Sequence, residues 1–145
     1  MTYIGVTTTS FQSEDRSWLL GPHGTEPGTT PSVTLDISSF TAGTHYPNGY
    51  VLSGTALGKI TASGLYGPYD PDGSDGRQTA AGLLISSMAV PTNAAGTAQD
   101  FGGAILVHGF VDHSKLPFAY NVDGGLDANG IADLPLIHFV NAVTA

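Results

Sequence analysis

The chain has 145 residues, with 12 Asp and Glu against 4 Lys and Arg, a net charge of −8, 20 Gly, 9 Pro and no Cys. A chain of this size supports one domain with one modest core. The lack of cysteine excludes disulfides, thiolate metal sites and a cysteine nucleophile. Four basic residues supply no positive field to displace counterions from a phosphate backbone, so neither nucleic acid nor an anionic membrane is expected as a direct partner. A neutral or basic surface is the more natural complement. The longest aliphatic run, Ala104 to Val107, falls far short of the roughly 20 apolar residues of a spanning helix. The N-terminus lacks the basic start and apolar middle of a signal peptide, and the chain is expected to be soluble and unprocessed.

Residues 1–30 carry Thr7-Thr8-Thr9-Ser10, the polar cluster Ser13 to Arg16 and the Gly/Pro run Gly21 to Gly28, with little apolar periodicity. Such a segment buries too little apolar area to offset the entropy of ordering it, and a flexible N-terminal arm is expected over 1–30. Its large apolar residues, Phe11, Trp18, Leu19 and Leu20, stand out as candidate partner contacts, because a solubilising tail has no need of exposed aromatics. An extended arm of this kind suits strand addition to a partner's sheet edge.

Residues 31–145 carry the signals of short strands. Val33, Leu35 and Ile37 alternate with Thr34, Asp36 and Ser38 as in a half-buried strand that ends near Phe40. Pro47-Asn48-Gly49 is a turn before a strand at Tyr50-Val51-Leu52. Leu57 to Ala62 and Leu65-Tyr66 flank Ser63-Gly64 as a hairpin, and Tyr69 to Gly76 reads as a loop. One helical turn fits Gln78 to Ala81, a buried strand fits Leu83 to Val90, and Pro91 closes it ahead of a loop over 92–100. Gly103 to Val111 has the β-branched, uninterrupted apolar character of one central strand. A short helix fits between Asp123 and Leu134, and a last strand runs over Leu136 to Val140. The fold class expected is mainly β or α+β: a compact small β domain with one short helix behind the arm.

Catalytic and metal chemistry find little support. The loop Asp70 to Gly76 has Asp75 where a calcium loop needs its glycine and Ala81 where it needs its glutamate. It is read as a solvated acidic turn, with weak cation binding by residues 70–75 left open. The histidines at 23, 45, 108, 113 and 138 lack zinc-ligand spacing and read as structural. Neither a GxSxG elbow nor a phosphate loop nor a recognisable acid/base pair is present. No catalytic residue, no metal ligand and no cofactor are therefore assigned, and the chain is read as a non-enzyme. A small β-type ligand- or glycan-binding module, with Tyr46, Tyr50, Tyr66 and Tyr69 as an exposed platform, is the alternative.

Three blocks, Leu52 to Ile60, Gly67 to Asp70 continuing through Asp75 to Leu84, and Leu134 to Phe139, resemble the lambda-type head decoration proteins of tailed bacteriophages. The similarity covers roughly residues 30 to 143 and is most specific over Asp75 to Leu84. The resemblance implies a homotrimer on the outer surface of the expanded capsid, at three-fold positions. There it cements the major capsid protein, with an arm that orders on the shell by adding a strand. This chain departs from the lambda member in a longer polar arm and in the loops at 69–76 and 92–100.

Overall fold

The computed structural model describes residues 4–6 and 13–144. Among these, the elements in chain order are β1 Ser32–Leu35, α1 Ala42–His45, β2 Tyr50–Val51, β3 Ala56–Lys59, β4 Tyr66–Pro68, β5 Ala80–Leu84, β6 Met88–Ala89, β7 Phe101–Leu106, β8 Gly109–Asp112, α2 Ala128–Ala132 and β9 Ile137–Val140. The domain is mainly β, as the strand and turn signals predict, with two single-turn helices where one was expected, α1 being the addition. Five strands close a barrel in the order β1-β4-β3-β5-β7, with β7 returning antiparallel to β1. Two further pairs, antiparallel β2-β6 and parallel β8-β9, lie outside it. Among the described residues no helix is long and apolar enough to cross a membrane.

The core has two parts because successive strand residues point to opposite faces. Leu57, Leu84 and Ile105 join Val33, Leu35, Ile37, Phe40 and Val51 in one cluster. Their chain neighbours Ala56, Leu83 and Leu106 join Trp18, Tyr69, Val111, Leu126, Leu134 and Ile137 in the other. Strands β3, β5 and β7 are thus buried on both sides, which explains why their sequences read as apolar runs rather than alternations. β1 keeps the alternation: Val33 and Leu35 are buried, Ser32 and Thr34 exposed.

Where the elements differ from expectation, a local cause is visible. β1 stops at Leu35 because the Asp36 side chain accepts from the Ser38 backbone N–H and starts a 3-10 turn over Ile37–Ser39, which still buries Ile37. The helical turn expected at Gln78 to Ala81 is instead the entry to β5, where the Asp133 carboxylate accepts from the Ala80 N–H at 2.9 Å. The run Leu83 to Val90 divides between β5 and β6, and the run Gly103 to Val111 between β7 and β8. Gly109, with φ at +143°, makes the second break, in a region L side chains rarely adopt. The hairpin of β3 and β4 around Gly64 and the helix after Asp123 form as predicted.

α2 is fixed to the core by one carboxylate. Asp127 caps it by accepting from the Gly130 N–H, and the same oxygen accepts from the buried Tyr69 hydroxyl, each at 2.8 Å. Tyr69→Phe should cost about 1 kcal/mol, since Asp127 keeps its cap. Asp127→Ala should cost about 2–3 kcal/mol, because it removes the cap and strands a buried hydroxyl. In urea melts the double substitution should cost less than the sum of the two; strict additivity would contradict the shared-oxygen arrangement.

Candidate partner-binding surface

The candidate contacts of the arm separate in space. Phe11 lies outside the described residues. Trp18, expected on a free arm, is instead fully buried in the second core cluster. Its indole N–H donates to Ser53 Oγ at 3.1 Å, and that hydroxyl donates to the Ile85 carbonyl. The ring lies against Gly54, where a Cβ would come within 2.9 Å of the indole nitrogen. Leu19 is half-buried and bridges antiparallel to Val111 of β8, with the Leu20 N–H donating to the Phe110 carbonyl and the Asp112 N–H to the Trp18 carbonyl. The segment therefore pairs through an isolated antiparallel bridge with its own domain. Its length was misleading: three apolar residues are too few to show a period, yet one tryptophan carries enough apolar area to hold a polar segment down.

Polar contacts extend that docking in both directions. Before Trp18, the Glu14 carboxylate accepts from the Ser87 N–H, and Arg16 donates to Ser86 Oγ while pairing with Glu14 at 2.8 Å. After it, Gly24 is buried against the His108 carbonyl. Leu20 alone of the three described candidates is exposed, at 48%.

Reactive chemistry does not converge. His45 and His113 are buried, and each is held by backbone at both ring nitrogens. Thr41 and Val143 N–H groups donate to the respective Nδ1 atoms, so each Nε2 donates, to the Asp123 and Leu126 carbonyls. Ser53 serves Trp18 as described. Among the described residues no three His, Asp or Glu side chains are grouped to hold a metal ion. The acidic loop is tied internally: Asp75 accepts from the Arg77 Nε and N–H, and Asp70 accepts from the Asp72 N–H. The four tyrosines form no exposed platform. Tyr69 is wholly buried, and Tyr46, Tyr50 and Tyr66 are half-buried, Tyr46 and Tyr66 against the first cluster.

One surface was not legible in the sequence. Val111 and Ile137 face the core, so Phe110 and His138, register partners on β8 and β9, face outward with ring centroids 5.9 Å apart. Leu136 joins them through the Gly109 N–H, which donates to its carbonyl, and Leu20 through its bond to Phe110. The His23 ring meets His108 edge-on at 4.5 Å and lies tilted against Phe110 at 5.9 Å. Phe110 and Leu136 are 49% and 63% exposed. The sequence signal, Gly109-Phe110-Val111 alternating after a glycine, is masked by the apolar run ahead of it.

Trp18→Ala should destabilise the domain by about 3–5 kcal/mol, as for other buried aromatic truncations, whereas Leu20→Ala should stay within about 0.5 kcal/mol. Equal effects in denaturant melts would contradict the assigned burial.

Acid should also unfold the protein. The Ser17 hydroxyl holds the Asp15 carboxyl below its usual range, the Glu26 and Gly24 N–H groups that of Glu26, the Arg77 N–H that of Asp75, and the Ser114 hydroxyl that of Asp112. Each contributes stability that is complete above its unfolded value, near 4, and lost as pH falls through the lower folded value. Burial raises Asp123, whose protonation works in the opposite sense. The melting temperature should thus fall below about pH 4, and Asp112→Asn should lower it at pH 7 while flattening the acid limb. An acid limb unaltered by Asp112→Asn would exclude Asp112 as a contributor.

Comparison with known proteins places this architecture. The family model for bacteriophage lambda head decoration protein D matches residues 29–139, well over half of the chain. No curated protein matches it. The matched span takes in the whole barrel, β8, α2 and most of β9, and with them the outward-facing Phe110, Leu136 and His138. The chain belongs to the lambda-type head decoration protein family, structural proteins of the bacteriophage capsid.

Proposed function

We propose that the protein is a cementing protein that binds the outer surface of the expanded phage head as a homotrimer and stabilises the shell against the outward pressure of packaged DNA. The observation that carries this reading is the family match over residues 29–139. Its physics is mass action: a ligand that binds the assembled lattice but not dissociated capsid subunits stabilises the lattice by its binding free energy. Three copies held together raise the effective concentration of each contact, so weak contacts suffice. The net charge of −8 suits a position outside the shell, away from the packaged nucleic acid.

The N-terminal residues act in this proposal as the arm that reaches the major capsid protein, by pairing with a sheet edge of the shell. Trp18, with Glu14 and Arg16, sets the base of that arm on the domain, and in this proposal the stretch before Ser13, which includes Phe11, is the reaching part. Leu20 adds an exposed apolar contact beside the base.

Heads stripped of the protein and heads decorated with it should release DNA at different temperatures, the decorated ones higher; identical release temperatures would sink the cementing role. A variant lacking residues 1–12 retains Glu14, Arg16 and Trp18, and its thermal melt should match the intact protein while its binding to heads is lost. Undiminished binding by that variant would remove the arm from the mechanism.

A further inference from the structure

We infer that the outward face of β8 and β9, formed by Leu20, Phe110, Leu136 and His138 with His23 and His108 beside them, is the contact between copies of this chain and lies at the three-fold axis of the trimer. This rests on the trimer reading above and adds which surface makes it.

Two observations point to a second copy as the occupant. The first is apolar exposure concentrated in one place. Three of the six exposed large apolar side chains among the described residues, Leu20, Phe110 and Leu136, are linked by the backbone bonds of Leu20 to Phe110 and of Gly109 to Leu136. Grouped apolar exposure of this kind marks interaction sites on soluble proteins. The second is charge. Residues 20–24, 108–111 and 136–140 contain no Asp, Glu, Lys or Arg, and the Glu26 carboxylate stands beside them, 3.5 Å from His23 Nδ1. Copies of a chain with net charge −8 repel where unpaired carboxylates confront each other, so a surface without them suits self-association. A basic partner would instead be drawn to carboxylate-bearing surface such as the Asp70 to Asp75 loop.

Symmetry then fixes where this face sits. In a three-fold ring most of an interface pairs one patch with a different patch, and identical residues meet only around the axis. An uncharged face that complements itself belongs there. Phe110, at the centre of the group with His23 and His138 at either side, is placed to meet its counterparts.

The test uses the full chain. Sedimentation equilibrium of the wild type, Phe110→Asp and Leu136→Asp is run with a thermal melt of each. The wild type should approach three times 14.8 kDa. Either substitution brings three carboxylates together and should weaken trimer formation by roughly a hundredfold or more, while each variant still melts cooperatively, because both side chains are exposed, with a midpoint lowered only by the lost contribution of assembly. A trimer that survives both substitutions overturns this placement and leaves the trimer itself standing. The chain has no cysteine, so His138→Cys gives a second readout that also works on decorated heads. Oxidation should link copies in pairs through position 138 and leave a Thr34→Cys control unlinked; absence of linkage at 138 on heads that carry trimers overturns the placement. A wild type that is monomeric at every concentration and is not cross-linked into trimers on heads overturns the trimer reading, and this inference with it.

Discussion

Everything in this domain depends on burying both faces of β3, β5 and β7. Ala56 and Leu57, Leu83 and Leu84, and Ile105 and Leu106 send adjacent side chains into separate clusters, so the strands need a layer on each side. One layer is the remainder of the barrel with Phe40 and Val51. The other is assembled from pieces too short to stand alone: β8 and β9, α2 and the indole of Trp18. A polar N-terminal segment is held to the domain because it supplies part of that second layer. The same docking brings Leu20 beside Phe110 and so helps to build the exposed face.

The polar groups inside the domain are committed to structure. His45 and His113 are saturated by backbone, Ser53 is shared between Trp18 and Ile85, and the Tyr69 hydroxyl shares Asp127 with the α2 cap. Among the described residues no buried side-chain nitrogen or oxygen lacks a partner. The described residues also present an apolar face without carboxylate, Lys or Arg, in a chain of net charge −8 that belongs to a capsid decoration family.

The strands were legible wherever local signals were strong. The Asn48-Gly49 and Ser63-Gly64 turns, the alternation from Val33 and the short helix between Asp123 and Leu134 are set over a few residues, and the structure contains each. The expectations that failed turned on distant partners. The breaks that divide Leu83 to Val90 and Gly103 to Val111 are invisible in a continuous apolar run, because strands buried on both faces carry no alternation to interrupt. The tyrosines looked like a platform, yet Tyr69 is drawn inward by an Asp127 that lies 58 positions away.

The sequence by itself determined that this is a small, acidic, cysteine-free β domain, because composition and short-range turn chemistry need no knowledge of the fold. Its blocks also sufficed to indicate the family. Only the tertiary structure decided that Trp18 is core and that Leu20, Phe110, Leu136 and His138 share one uncharged face. Burial is settled by whichever surface a side chain meets, and residues 20, 110 and 136 become neighbours only once the N-terminal segment pairs with β8 and β8 with β9.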